Sequence, residues 1–333
     1  MKAVVVRAFT DYDKAEVLEI DAPTPGPGEV VVDLEASETN FPDILYIEGR
    51  YQKLPPFPFT PGLAGAGRVS ELAQGVDSVR VGQKVLVLPE CGTFAEKVVA
   101  PASCCFPVPD AMSSETAASF GLVYQTAYFA LIDRGQFRQG DTVLVLGATG
   151  GIGMAAVQLA KALGASHVTA ATRGEANAEF LWDIGADSVV DVSREDMRDA
   201  LRDGVMAATN GHGADIVIDP VGGEVSAASI RAMAWCGRLV VVGFASGVIP
   251  KIGANYLLVK NISASGIQWT DYRARQPDRV RAAQAEMFDL WTQGKLRPRI
   301  TEVLPLADYA MALKALNEAR ARGKLILTIG KTT

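Results

Sequence analysis

Between Thr142 and Gly153 the chain reads Thr142-Val143-Leu144-Val145-Leu146-Gly147-Ala148-Thr149-Gly150-Gly151-Ile152-Gly153, and Met154 to Leu163 continue it as far as Gly164. An apolar strand runs into a glycine turn, and the turn opens a helix. Such an order suits a dinucleotide pyrophosphate, because a helix N-terminus offers unpaired N–H groups and the positive end of its dipole to phosphate. Gly150 lets the backbone approach the pyrophosphate, Gly153 lets helix and strand pack closely, and Ala148 stands where a G-x-G-x-x-G turn has its first glycine. The candidate cofactor cradle is therefore Ala148, Thr149, Gly150, Gly151, Ile152 and Gly153. A strand–turn–helix without nucleotide is the bland alternative; the apolar strand before the turn and the apolar-periodic helix after it favour the nucleotide.

A second strand, His167-Val168-Thr169-Ala170-Ala171, ends where an acid that reads a ribose 2′-hydroxyl would stand, roughly 20 residues past the glycines. The residues there are Thr172 and Arg173. A hydroxyl beside a guanidinium suits a 2′-phosphate, whereas a carboxylate would repel one. This part of the chain reads as NADP(H)-binding. Two alternatives stay open: Glu175 is the reader if the strand ends late, and, independently, Arg173 is an ordinary solvated loop arginine.

Composition bounds the rest. The 333 residues are 49% hydrophobic and 21% charged, enough for about two domains with large cores. A net charge of −6 argues against nucleic acid or an anionic membrane surface as partner. No apolar run approaches the about 18 residues of a membrane span, and the N-terminal run Ala3 to Val6 is too short for a signal segment. Four cysteines (Cys91, Cys104, Cys105, Cys236) without metal-site spacing suggest a reduced, cytoplasmic chain. The two histidines, His167 and His212, have no partners in sequence for zinc or for a Ser-His-Asp triad. No metal is expected.

The elements divide in three. Residues 1–125 carry β-type runs broken by Pro and Gly, which predicts a mostly antiparallel, barrel-like domain. Residues 126–265 alternate strands and helices, including a helix near 227–235 and strands at 239–243 and 262–264; this predicts a doubly wound parallel sheet. Residues 266–333 hold two helices and a last strand, 324–329, that returns to the first domain. The fold class is α/β.

These marks taken together resemble the zinc-free quinone oxidoreductase, or zeta-crystallin-like, branch of the medium-chain dehydrogenase/reductase superfamily. They are Asn40-Phe41-Pro42-Asp43, Tyr51, Pro61-Gly62, Gly92-Thr93-Phe94-Ala95-Glu96, Thr126-Ala127-Tyr128, the glycine turn, Asp219-Pro220-Val221-Gly222-Gly223 and Gly323-Lys324. The resemblance runs end to end. It implies a GroES-like mostly-β barrel domain beside a Rossmann domain. It also implies no zinc, since Asn40 stands near where zinc-binding members have a cysteine. One departure is Ala64, where the family usually has an acid.

What the resemblance implies for function is NADPH-dependent reduction of a small molecule, a quinone or an activated alkene such as an enone or acyl-CoA thioester, by direct hydride transfer. By position, Asn40 and Asp43 line the base of the substrate cleft, and Tyr46 and Tyr51 face the substrate. Thr126 sits against the nicotinamide, Val221 and Gly243-Phe244-Ala245 hold ribose and carboxamide, and Lys324 reaches cofactor phosphate or ribose. Bland readings stand beside these. Asn40 and Asp43 serve equally as caps of a short helix, Tyr46 and Tyr51 as packing tyrosines, Phe244 as core and Lys324 as a surface lysine. A non-enzymatic, crystallin-like or RNA-binding protein is the reading from another class. Family resemblance further implies a homodimer or a tetramer of dimers, and strands 239–243 and 262–264 are expected to leave a long apolar sheet edge.

Overall fold

The computed structural model describes residues 1–330, and the chain divides into two units: Met1–Leu122 with Arg273–Phe288 and Pro298–Thr333, and Val123–Tyr272 with Asp289–Arg297.

In the second unit, short runs such as Thr142–Val145 and Ala214–Asp219 are apolar on both faces, the pattern of a parallel strand covered by helices on either side. Six strands form the sheet in the order Ser188–Asp191, His167–Thr172, Thr142–Val145, Ala214–Asp219, Met233–Val241, Ser263–Gly266, every pairing parallel. Numbered by chain order within the sheet, this is 3-2-1-4-5-6. The strand order reverses between Thr142–Val145 and Ala214–Asp219, and the crevice beyond the carboxyl ends of two such strands is where doubly wound sheets bind ligands. Leu144, Leu146, Val217 and Leu239 fill the core here.

Two sequence expectations need correction. The helix expected near 227–235 is Gly223–Ala232, and strand Met233–Val241 begins at once. Lys260 Nζ donates to the carbonyls of Ile230, Arg231 and Met233, so an ammonium closes the helix end where cations are favoured. The expected apolar edge is also different. The edge strand is Ser263–Gly266, small and largely exposed, while Ile262 just before it turns inward.

In the first unit, the strand Glu29–Glu38 is the spine. It pairs antiparallel with Gly65–Leu72, Lys97–Pro101 and Lys324–Thr328. Lys84–Val87 and Cys105–Pro107 extend the sheet on one side, and Ile300–Pro305 extends it on the other, parallel to Lys324–Thr328. Val30, Val32 and Leu34 alternate inward onto a core with Val85, Val87, Phe94 and Leu327. The pairing of Ile326 with Glu38 brings the end of the chain against the end of the long strand. Immediately after that strand, Phe41–Ile47 forms a short helix.

Candidate functional site

The glycine turn sits at the carboxyl end of Thr142–Val145, and Gly150 heads the helix Gly151–Ala162. A Cβ on Gly153 would overlap Gly147 O and lie 2.6 Å from Ala148 Cα, so only glycine lets this helix start so near the strand. A Cβ on Gly150 would meet nothing closer than 3.5 Å. Gly153 therefore serves packing, and the space over Gly150 is left open to whatever approaches the turn. Ala148 is buried and its N–H donates to Ala171 O, tying the turn to the neighbouring strand.

The strand His167–Thr172 ends at Thr172, and Glu175 lies beyond it in a separate turn of 3₁₀ helix, Glu175–Asn177. Arg173 is exposed. Asn177 Nδ2 donates to Thr172 Oγ1 (3.1 Å) and to Arg173 O (2.8 Å). With its oxygen already accepting, the Thr172 hydroxyl keeps its own proton to donate. Asn177 is thus a shaping residue that sequence reasoning missed; its signal was an Asn five residues after a strand end. Asp191, at the end of the adjacent strand, accepts from Gly174 N–H and from Ser193, and these bonds hold its carboxyl below the usual range.

Across the point where strand order reverses, Asp219 Oδ1 accepts from Val221 N–H and Gly222 N–H, both at 2.9 Å. Ala245 N–H and Ser246 N–H donate to the carbonyls of Pro220 and Val221, so Gly243, Phe244 and Ala245 lie along the 219–223 loop. Phe244 keeps 40% of its surface exposed. A Cβ on Gly147 would lie 2.7 Å from Val221 Cγ2, which puts this loop beside the glycine turn. Thr126 is buried in the helix Leu122–Phe129. The second unit therefore gathers the glycine turn, Val221 and Gly243–Ala245 at one end of its sheet, with Thr172 and Arg173 at the end of the strand next to the turn.

The first unit holds a different construction, a buried polar cluster. Lys324 is 2% exposed. Its Nζ donates to Asn40 Oδ1 (2.8 Å) and Thr39 O (2.9 Å) and stands 2.9 Å from Glu38 Oε2, an ion pair out of water. The ammonium, expected from the resemblance to reach cofactor phosphate or ribose, donates to two acceptors and faces the Glu38 carboxylate inside this cluster. Glu38 Oε1 accepts from Leu122 N–H at 2.7 Å. Asp43 Oδ2 accepts from Asn40 N–H (2.7 Å) and Oδ1 from Gly62 N–H (3.2 Å). Burial raises the Asp43 carboxyl to about 7, with the Glu38 charge adding to the effect and the Asn40 and Gly62 N–H bonds and the Lys324 charge opposing it. Gly62 has φ +97, and a Cβ there would overlap Thr93 Oγ1 and approach Phe94 N at 2.7 Å, so this contact needs glycine.

The capping reading of Asn40 and Asp43 is half realised. Asp43 reaches back to Asn40 N–H, but Asp43 N–H donates to the Asn40 main-chain carbonyl, leaving the Asn40 side chain to Lys324. Tyr46 is buried in the core, and Tyr51 is half-buried and stacked on it with ring centroids 4.7 Å apart. Burial pushes the Tyr46 hydroxyl well above its usual range.

The departure at Ala64 also finds an explanation. The Ala64 carbonyl accepts from Ser37 Oγ, Thr93 Oγ1 and Glu38 N–H. A Cβ on Gly121 would touch both the Ala64 methyl and, at 2.7 Å, Glu38 Oε1. A carboxylate does lie beside residue 64, and it comes from Glu38. Sequence reasoning passed over Glu38; an acid two residues before Asn40, in a strand otherwise alternating inward, was the available signal. Among the described residues no group of His, Cys, Asp and Glu gathers as metal ligands. Burial raises the thiols of Cys104 and, to about 11 and 12, those of Cys91 and Cys105.

A doubly wound sheet with a glycine turn at its switch point, in one chain with a β-rich unit that buries a polar cluster, defines a two-domain oxidoreductase of the medium-chain dehydrogenase/reductase type. Residues 26–110 match the alcohol dehydrogenase GroES-like domain, and residues 151–286 match the zinc-binding dehydrogenase domain. The chain is 34% identical over 304 residues to a quinone oxidoreductase-like protein 2 homolog of Nematostella vectensis, covering 91% of this chain and 82% of that one. It is 33% identical over 349 residues to the human synaptic vesicle membrane protein VAT-1 homolog (99% and 87% covered). A mycobacterial structure complexed with NADPH superposes with a TM-score of 0.90 at 30% identity, covering 98% of this chain and 100% of the other. The protein belongs to the quinone oxidoreductase branch of the medium-chain dehydrogenase/reductase superfamily.

Proposed function

We propose that this protein is a zinc-independent NADPH:quinone oxidoreductase. The observation that carries the cofactor reading is the strand end at Thr172 and Arg173, which offers a hydroxyl and a guanidinium and no acid. The cradle fits a dinucleotide: the room over Gly150, the N-terminus of a twelve-residue helix and the Val221 loop beside the turn all lie at the switch point. NADPH, when bound, supplies the hydride. Ala148 to Gly153 hold the pyrophosphate, Thr172 and Arg173 the 2′-phosphate, and Val221, Gly243, Phe244, Ala245 and Thr126 orient the nicotinamide end. Asn40 provides hydrogen-bond donors to the acceptor carbonyl, Asp43 holds Asn40 in place, and Tyr51 stacks on the acceptor ring with Tyr46 behind it.

The NADPH complex of the mycobacterial relative and the quinone oxidoreductase names of the curated relatives support this reading. Four free thiols, three of them raised by burial, suit a reduced cytoplasmic enzyme. No helix among the described residues is long and apolar enough to cross a membrane. A homodimer is proposed on the unpaired edge of Ser263–Gly266 together with exposed Val248, Ile249, Leu258 and Val259. A monomer mass by light scattering at micromolar concentration would overturn the dimer.

The test of function is NADPH oxidation against 1,4-benzoquinone, 9,10-phenanthrenequinone, 2-cyclohexenone and crotonyl-CoA, with NADH in parallel. Quinone turnover with NADPH preferred is expected. Turnover of only the enone or thioester moves the assignment to alkene reduction and keeps the cofactor reading; NADPH binding without turnover of any of these acceptors overturns the quinone and alkene assignments and shifts the search to other substrates.

A further inference from the structure

We propose that Glu38 and Lys324 are positioning residues that lock the Asn40 carboxamide in one orientation, oxygen toward the ammonium and NH₂ away from it, so that Asn40 meets its ligand as a hydrogen-bond donor only. The inference rests on the functional reading above and names what selects the acceptor: an oxygen that gains negative charge as it is reduced.

An ammonium donates and cannot accept. Asn40 Oδ1 lies 2.8 Å from Lys324 Nζ, so the amide oxygen must be the atom facing Lys324, and the nitrogen must face the other way. A free asparagine flips at little cost; this one cannot flip without bringing NH₂ against NH₃⁺. The ammonium is held in turn. Thr39 O accepts one of its protons and Glu38 Oε2 stands 2.9 Å away, both groups wholly buried. Glu38 is fixed by Leu122 N–H on its other oxygen. The chain of contacts ends on Asn40.

That last link is Asn40 Nδ2, which is buried and has no acceptor. An unpaired buried donor is costly, and one that persists in a native fold calls for an explanation. Every other hydrogen-bonding group on this residue is used. Its N–H goes to Asp43, its carbonyl accepts from Asp43 N–H, and its Oδ1 accepts from Lys324. An amide fixed by an ammonium on its oxygen and left with an unpaired donor on its nitrogen is what a preorganised oxyanion contact requires: the donor is oriented before the charge develops and need not reorient when it does.

Two variants separate positioning from mere packing. Asn40→Asp keeps the shape and still pairs with Lys324, but presents an acceptor where the NH₂ was. The double variant Glu38→Gln/Lys324→Met removes the ion pair as a unit, avoiding a lone buried charge, and frees the amide to flip. Both are measured as full-length protein for thermal midpoint, NADPH affinity, quinone kcat and KM, and binding of 4-nitrophenol in the presence of NADP⁺. The ionised form of this phenol is coloured and carries the charge on an oxygen attached to a flat ring.

Wild-type protein is expected to bind the phenolate in preference to the phenol. Asn40→Asp should lose about 100-fold in kcat and reverse that preference, with thermal midpoint and NADPH affinity kept. The double variant should lose about tenfold in kcat, the worth of one misoriented hydrogen bond, with quinone KM and NADPH affinity little changed. The proposal is overturned if Asn40→Asp turns over quinone at the wild-type rate, or if wild-type protein shows no phenolate preference. If the wild type reduces no quinone, the functional reading fails separately, and the phenolate measurement still decides the role of the amide.

Discussion

The two units build their polar sites by opposite means. In the second unit the proposed cradle is made of backbone: Gly147 to Gly153 are contiguous, and the groups offered to a ligand there are N–H groups at a helix start. In the first unit the site is made of side chains from distant segments, Glu38, Asn40 and Asp43 meeting Gly62, Leu122 and Lys324. A backbone site tolerates changes of side chain so long as no Cβ intrudes. A side-chain site built on a buried ion pair tolerates the loss of either charge poorly, because the other charge is left buried without its partner.

The sharpest way to break this contrast is to remove one charge. Lys324→Met alone leaves the Glu38 carboxylate buried without its partner and should cost about 3–5 kcal/mol, read as a lowered midpoint in urea; the double variant with Glu38→Gln should recover much of that loss. Gly153→Ala attacks the backbone site. Its new Cβ falls on Gly147 O and Ala148 Cα, so a loss of about 2–3 kcal/mol is expected, with NADPH binding by fluorescence titration weakened in parallel.

Arg173→Asp should leave the fold intact, since the side chain is exposed. It is expected to shift kcat/KM from NADPH toward NADH by about 100-fold, the scale of a lost charge-assisted pair and an added repulsion. Unchanged cofactor preference would make Arg173 an ordinary surface arginine.

A further effect is a slope. Asp43 is raised from 3.8 to about 7 in the folded chain, so its contribution to stability is fully present below pH 3.8 and is lost as pH rises to 7. Between these values it should lower stability by about 1.4 kcal/mol per pH unit. Asp43→Asn should remove that slope from the difference curve of unfolding free energy against pH; an unchanged slope would mean that the carboxyl titrates normally.

Much of the fold was legible because its signals are local. The glycine turn, the apolar strands around it and the missing acid after Ala171 all lie within about 35 residues, and periodicity with turn chemistry reads such distances. Errors fell where a remote group decided. The helix near 227–235 stops early under the Lys260 ammonium, about 28 residues on, and Ile262 turns inward rather than forming the edge. At the site, Asn40, Asp43 and Lys324 were marked as candidates, with Lys324 expected to reach cofactor phosphate or ribose, but its pairing with Glu38 passed unnoticed. Neither has a nearby residue in sequence that betrays its partner.

The amino-acid sequence by itself determined the parallel sheet, the glycine turn between strand and helix, and the hydroxyl and guanidinium in place of an acid at the next strand end. Backbone conformation and residue type settle these over short stretches. Only the tertiary structure decided which donor of Asn40 is left vacant. Pairing of Glu29–Glu38 with Lys324–Thr328 brings an ammonium and a carboxylate 286 positions apart into contact out of water, and there each polar group must find a partner or be held for one.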